Sequence, residues 1–512
     1  MENEAENSRQ RQIGALLSYS YSFLSAIIGL IYVPILLSTM GSSEYGLYQL
    51  IGSIMSYMAL MNSIFSGGIT RYYCRYLEDG DEERMQGVLA AGRKIYKVMS
   101  VLAIVVGFAA IGIFSVVYQN VLTDFQMVES AIMIAAVSIN LIISMQNSLS
   151  VAVVIAHERF IFQRGLQLLL LILQPLVVVV LVSCFPYAVL VPLVQLTLNA
   201  IAAIIQRGFA RKSLGMVIKQ SKDSSLLIRG LLVFSGGMLL VLFADQIFWH
   251  TNQLILGFYF GTTVVAVYAV ASQIVMSYMS LGVAIPQVFL PKITALVSVD
   301  SGMREVSLLF AKVGRLSLYP LLLVLTGFIA FGMQFIQLWA GQGFEEAYFI
   351  AAVLMIAATV DLSQNLGLTV LQVVNKYHIR GIIYLGLAIV NCATVVLFAP
   401  NAGAFGAAFC SAIAMFLGNG IVMNVYYSKG IGLDIKLFWT QVSRMSIPLI
   451  LFGGIAASIV SSLTISWNWP VFVVSLIIYV ILFFFVALLF SMNSYERSLV
   501  KRIFYRLLGR AN

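Results

Sequence analysis

RQRQIGALLSYSYSFLSAIIGLIYVPILLSTMGSSEYGLYQLIGSIMSYMALMNSIFSGGITRYYCR, residues 9–75, begins and ends on arginines and carries a single charge between Arg11 and Arg71, the acid Glu44. It divides into two apolar runs, 13–38 and 46–70, joined by a short polar link around Glu44. About 20 apolar residues suffice for a helix to cross a hydrocarbon core of roughly 30 Å. Lys and Arg are retained on the cytoplasmic side, whereas acids place little constraint on topology. The segment therefore reads as a helical hairpin that leaves the cytoplasm after Arg11, turns at Glu44 and returns at Arg71.

The same alternation continues along the chain. Apolar runs at 97–118, 130–156, 165–185, 187–206, 229–251, 262–290, 314–336, 347–374, 380–399, 402–427, 442–463 and 470–491 bring the total to fourteen spans. The link at 251–262 is weakly polar, so spans seven and eight are the pair most easily merged. All 30 Lys and Arg residues fall at the ends of the chain or in every second link: Arg84 and Lys94 after span two, Arg159 and Arg164 after span four, Arg207 to Arg229 after span six, and so on to Arg510. The intervening links hold only acids, among them Glu44, Asp124, Glu129, Glu345 and Glu346. A wrong count would scramble this pattern. Sequence thus predicts an all-α polytopic inner-membrane protein of a bacterial cell, multi-pass, with both termini cytoplasmic.

Composition agrees. Of 512 residues, 61% are apolar and 10% charged, against roughly 25% charged in soluble domains; the mean hydropathy is +0.96. Solid apolar runs exclude an outer-membrane barrel, whose strands alternate. The polar, acidic start MENEAENSRQRQ lacks the features of a cleaved signal peptide. Cys74, Cys184, Cys392 and Cys410 show no metal or redox spacing, and His157, His250 and His378 are not paired as ligands. The net charge of +9 reads as topology and contact with anionic lipid rather than nucleic-acid binding. In the tail SYERSLVKRIFYRLLGR, Leu499/Val500, Ile503/Phe504 and Leu507/Leu508 alternate with Arg497, Lys501, Arg502 and Arg506, which suits a helix lying in the inner headgroup layer. WNWP, 467–470, reads as an outer-surface anchor.

Two halves of the chain match at nearly constant offset. SSEYGLY (42–48) corresponds to TTVVAVY (262–268), Gln146-Asn147 to Gln364-Asn365, and Arg164-Gly165 to Arg380-Gly381. A six-helix repeat preserves orientation, so its halves are related by a pseudo-two-fold axis along the membrane normal. The expected organisation is an N-lobe at 1–222, a C-lobe at 223–430, and at 431–512 two extra C-terminal helices with the amphipathic tail. Two lobes around a cavity favour a transporter.

YVPILLSTMGSSEYGLYQL followed by SGGITRYY, NQLILGFYFGTTVVAVYAVASQI at spans seven and eight, and APNAGAFGAAFCSAIA leading into span twelve resemble the polysaccharide flippase family of the multidrug/oligosaccharidyl-lipid/polysaccharide exporter superfamily. The resemblance covers essentially the whole chain. It implies a flippase that carries a polyprenyl-pyrophosphate-linked oligosaccharide from the cytoplasmic to the outer leaflet by alternating access, for cell-surface polysaccharide (lipopolysaccharide) biosynthesis. A sugar-pyrophosphate head cannot enter hydrocarbon without losing its hydrogen-bond partners, whereas its lipid tail can trail through a lateral gap. The implied partners are the lipid-linked oligosaccharide, membrane lipids, and glycosyltransferases and polymerase of the same pathway. A cation-coupled multidrug exporter of the same fold and a peptidoglycan-precursor flippase remain open. A membrane glycosyltransferase or polymerase is disfavoured, because the outer links are too short for a catalytic loop; no P-loop is present.

Asp245 and Asp361 are the carboxylates inside spans, where a charge costs on the order of 3 kcal/mol. By resemblance to drug-exporting relatives they would form a Na+ or H+ coupling site in the second lobe, with no other cofactor and no metal centre; the alternative is a solvated Asp245 and an Asp361 that accepts helix–helix hydrogen bonds. Asp361, Gln364 and Asn365 stand at i, i+3 and i+4 and so share one helical face. For the pyrophosphate the nearest cations are Arg71, Arg229 and Arg315, at the cytoplasmic ends of spans two, seven and nine; the competing reading is that they only set topology. Gln146, Asn147, Gln364 and Asn365 suit either sugar hydroxyls or interhelical ties. Helix breaks are expected at Pro34, Pro175, Pro192, Pro286 and Pro320.

Overall fold

A computed structural model describes residues 2–218, 224–287, 289–297, 302–374 and 376–498. Every regular element among them is helical. In order they are α1 (Glu2–Glu78), α2 (Glu82–Tyr118), α3 (Asp124–Ala156), α4 (Phe160–Cys184), α5 (Leu190–Ser213), α6 (Ser224–Phe260), α7 (Thr262–Gln287), α8 (Leu290–Val297), α9 (Gly302–Trp339), α10 (Glu346–Ser363), α11 (Leu366–Val373), α12 (Tyr377–Met415), α13 (Met423–Tyr426), α14 (Ile435–Ser462) and α15 (Trp469–Val486). Stretches Phe416–Val422, Tyr427–Ile431 and Ala487–Ser491 widen into π-helix. Eleven helices among the described residues are long and apolar enough to cross a membrane. Lys219, Lys222 and the amphipathic tail beyond residue 498 lie outside the described residues, as does the Arg229 side chain.

Glycine, rather than a polar loop, turns the chain at two places that the hydropathy pattern left short. Gly41 (φ 78°) breaks α1 into two arms, and Gly403 (φ 63°) does the same in α12. Gly261 (φ 79°) separates α6 from α7, so the weakly polar link at 251–262 is a true boundary. Left-handed backbone of this kind is open to glycine at little steric cost. Gly41 and Gly261 immediately precede SSEYGLY and TTVVAVY, so the matched stretches share a backbone device as well as a residue pattern.

The chain forms two compact units, Met1–Ala269 with Tyr384–Ala404, and Val270–Ile383 with Phe405–Asn512. In the first, α1 packs on α3, α4 and α6, and α3 on α2 and α5. Part of its core is built from Ile69, Tyr73, Val88, Leu89, Tyr96 and Leu149. In the second, α9 packs on α14, α10 and α15. There Gly453 of α14 meets Thr326 of α9, whose hydroxyl lies 2.7 Å from the Tyr479 hydroxyl of α15. Asn468 caps α15 by accepting from the Val471 amide at 3.0 Å.

Outward faces are apolar. Helix α15 carries no charge and leaves Ile477, Ile478, Ile481, Phe484 and Phe485 exposed. Burying side chains of that size is worth about 1.5–3 kcal/mol each against water, so a stripe of them left exposed along one helix fits hydrocarbon as the solvent. Pro34, Pro175 and Pro320 sit inside α1, α4 and α9, while Pro192 lies in the first turn of α5, where a missing N–H is tolerated; the Pro286 side chain is outside the described residues.

Candidate functional site

In the first unit, the end of α1 and the start of α6 come together. Ile69, Tyr73, Leu227 and Leu231 share one cluster. The Tyr72 hydroxyl lies 3.1 Å from where a Cβ on Gly230 would stand. Tyr72 and Gly230 are the chain neighbours of Arg71 and Arg229, so the two basic positions belong to the same end of the helix pair. Arg71 is exposed there, following Gly67 and Gly68.

Further along the same two helices runs a polar seam that sequence reasoning missed. Ser53 Oγ donates to Gln253 Oε1 at 2.7 Å. The Tyr57 hydroxyl donates to the Gln246 carbonyl at 3.2 Å and meets the Thr251 hydroxyl. Gln246 Oε1 is buried without a protein donor, and its neighbour Asp245 is half-buried. The signal was present in the spacing, since Ser53 and Tyr57 stand four apart and Gln246 and Gln253 seven apart, each pair on one helical face. Asn252 is buried and donates to the Tyr268 hydroxyl at 2.8 Å.

Gln146 and Asn147 separate in role. Gln146 Nε2 donates to Ser100 Oγ at 3.3 Å. Asn147 donates to Gln206, which donates in turn to Gln163 at 3.1 Å, so this amide chain ties α3 to α5 and α4. Such ties are worth about 0.6–2 kcal/mol each in a membrane.

In the second unit, the expected single face of Asp361, Gln364 and Asn365 does not form. Helix α10 ends at Ser363, and Gln364 and Asn365 make a turn closed by their backbone N–H groups, which donate to Asp361 O (3.0 Å) and Leu362 O (3.3 Å) respectively. Buried Gln364 donates to Val360 O at 3.3 Å and Asn419 O at 3.5 Å, leaving Oε1 without a donor. Asn365 donates to Gly282 O at 3.4 Å. Facing the break is the π-helical stretch 416–422; such bulges are frequent at functional sites. Asp361 is half-buried at the end of α10. Asp245 belongs to the first unit and Asp361 to the second.

Arg315 is the clearest departure from a cargo contact. It is 5% exposed. Its Nε and Nη2 donate to Glu496 at 2.8 and 2.7 Å, Nη1 to Gln441 O at 2.8 Å, and Nη2 also to Ser491 O at 3.1 Å. The Tyr319 hydroxyl and the Asn493 amide donate to Glu496 at 2.9 Å. A fork so fully engaged holds the chain beyond α15 against α9 and α14 and has little left to offer a phosphate.

Among the described residues no group of His, Cys, Asp and Glu could hold a metal ion, and none of the four cysteines forms a disulfide.

No family model and no curated protein matches the sequence. Solved structures do match its fold. The lipid II flippase MurJ in an inward closed conformation is 13% identical with a TM-score of 0.72, over 97% of this chain and 100% of that one. The MATE multidrug transporter DinF-BH is 14% identical with a TM-score of 0.58, over 84% and 96%. An inward-facing MATE transporter of the MOP superfamily is 11% identical with a TM-score of 0.55, over 86% and 96%. The chain has the fold of these MurJ and MATE transporters.

Proposed function

We propose that the protein is a flippase that moves a polyprenyl-pyrophosphate-linked oligosaccharide from the cytoplasmic to the outer leaflet by alternating access, in cell-surface polysaccharide synthesis, and is not an enzyme. The observation that supports a flippase is the full-length likeness to the MurJ structure, the exporters matching less of the chain; the oligosaccharide cargo follows the resemblance of YVPILLSTMGSSEYGLYQL and SGGITRYY to the polysaccharide flippase family. Fourteen crossings follow if α1 and α12 each count twice across Gly41 and Gly403 and α6 is added to the eleven long apolar helices. The repeat then groups them as lobes 1–222 and 223–430 with an appendix at 431–512. Lys and Arg orient both termini to the cytoplasm of a bacterial inner membrane. Lipid-linked oligosaccharide, membrane lipid, and the pathway's glycosyltransferases and polymerase are the partners of this reading. A peptidoglycan-precursor cargo is the second reading, favoured by the MurJ likeness itself.

Arg71 and Arg229 grip the pyrophosphate at the cytoplasmic mouth, and Gln146, Gln364 and Asn365 face the sugars. In vesicles holding the full-length protein and a fluorescent lipid-linked oligosaccharide, Arg71→Gln lowers flipping about 10- to 100-fold, the weight of one charge-assisted hydrogen bond, with unchanged amount and orientation. Inverted or absent protein would assign Arg71 to topology alone. Asp245 and Asp361 supply cation coupling, to Na+ or H+. Asp245→Asn and Asp361→Asn each abolish ion-dependent transport at normal protein levels, and undiminished transport in both variants would sink that role.

A further inference from the structure

A second pair of acids, outside the seam and the α10 break, meets at the start of α5. Glu44 stands in the first turn after Gly41, on the second arm of α1. Glu129 stands in the second turn of α3, a helix set by a capping box in which Thr123 and Gln126 exchange hydrogen bonds. Gln126 Nε2 also donates to Ser43 Oγ at 3.0 Å, which fixes the start of α3 beside Glu44. The turn 185–189 then delivers two successive amides: Ala188 N–H donates to Glu44 Oε2 at 3.0 Å and Val189 N–H to Glu129 Oε1 at 2.8 Å. Consecutive amides of one turn thus hold the two carboxyl groups side by side.

Glu129 is 3% exposed, and its second oxygen, Oε2, has no hydrogen-bond donor. Two amides and the positive end of α5 compensate about one negative charge, not two. No cation is nearby in sequence: Lys and Arg are absent from 98–158 and from 165–206. The other titratable groups on the neighbouring segments are Tyr45 and Tyr48 on α1, exposed Asp124 on α3, Cys184 at the end of α4 and Tyr187 in the turn; none of them is cationic. Two carboxyl groups held side by side, one of them buried and with no cation on these segments, carry one shared proton at a lower cost than two negative charges.

We propose that Glu44 and Glu129 form a proton-binding site that holds one shared proton and latches α1, α3 and the turn before α5 together. Loss of the proton leaves two carboxylates facing each other and opens the junction. In sign, the pair favours the folded first unit while it keeps its proton. That contribution fades as pH rises and the second carboxyl ionises.

The test needs no cargo, so it stands or falls apart from the flippase reading. Infrared difference spectra of full-length protein in lipid, recorded as pH rises, show the loss of a protonated-carboxyl band. The band is missing in Glu129→Gln and in Glu44→Gln and present in Asp245→Asn and Asp361→Asn. Thermal unfolding of the unsubstituted chain shifts down as pH rises, and the shift is absent in Glu129→Gln. If Glu129→Gln does not accumulate, Glu44→Gln, at a partly exposed position, carries both measurements. A band that survives in the two Gln variants overturns the proposal. So does a band that added Na+ displaces at constant pH, because the site would then belong to a metal cation.

Discussion

Full-length protein carrying Glu496→Ala unfolds with a loss of about 3–5 kcal/mol, while Arg315→Met combined with Glu496→Leu recovers most of it. Both charges are buried, with side chains 6% and 4% exposed, so removing one strands the other where water cannot reach it. Removing both leaves two apolar side chains in an apolar setting and no charge to solvate. Thermal unfolding in detergent of the single variants and the double variant closes the cycle; additive losses would show that the two residues act independently. The pair also has a pH signature. Burial works against the Glu496 carboxylate, but the hydrogen bonds from Arg315 and Asn493, the Arg315 charge and Tyr319 outweigh it and hold its pKa below the usual glutamate value. Its contribution is therefore complete above the ordinary glutamate range and is lost as pH falls through the depressed pKa. Acid destabilisation of this origin is absent from the double variant.

Gly46→Ala is expected to remove the folded protein from the membrane fraction, at a cost of about 3 kcal/mol or more. A Cβ on Gly46 would stand 1.8 Å from the Thr262 carbonyl oxygen and 2.5 Å from its carbon. Those are backbone atoms and cannot rotate aside. The contact is pinned further by Ser43 and Thr262, whose hydroxyls lie 3.1 Å apart. Gly52→Ala, two turns along the same arm, meets nothing within 4 Å. It gains up to about 1 kcal/mol of helix propensity. Equal yields of the two variants would mean that α1 and α7 do not approach at Gly46.

That the chain is built of long apolar helices able to cross a membrane was legible because a bilayer imposes it directly: every crossing needs about 20 apolar residues. What sequence could not show was how side chains spend their hydrogen bonds. Arg315 read as one of several cations at a membrane mouth because its partner, Glu496, lies 181 residues away, in a tail whose basic residues drew attention to lipid. Asp361, Gln364 and Asn365 have helical spacing, yet spacing is informative only while the helix persists, and α10 stops at Ser363. Glu44 and Glu129 were read as acids of outer links. Their convergence depends on two amides contributed by a third segment, 188 and 189, which no pattern in either acid's neighbourhood reveals. The polar seam of Ser53, Tyr57, Gln246 and Gln253 was within reach, had the polar residues of spans two and seven been plotted by face.

The turns at Gly41, Gly261 and Gly403 have a mechanical meaning. Each joins two long rods through one non-helical residue, so relative reorientation of those rods is confined to a few torsions at that vertex. There is no slack to absorb a tilt. A rod that swings must drag its partner or bend the vertex, and an insertion of even a few residues there would disconnect the two ends of the lever.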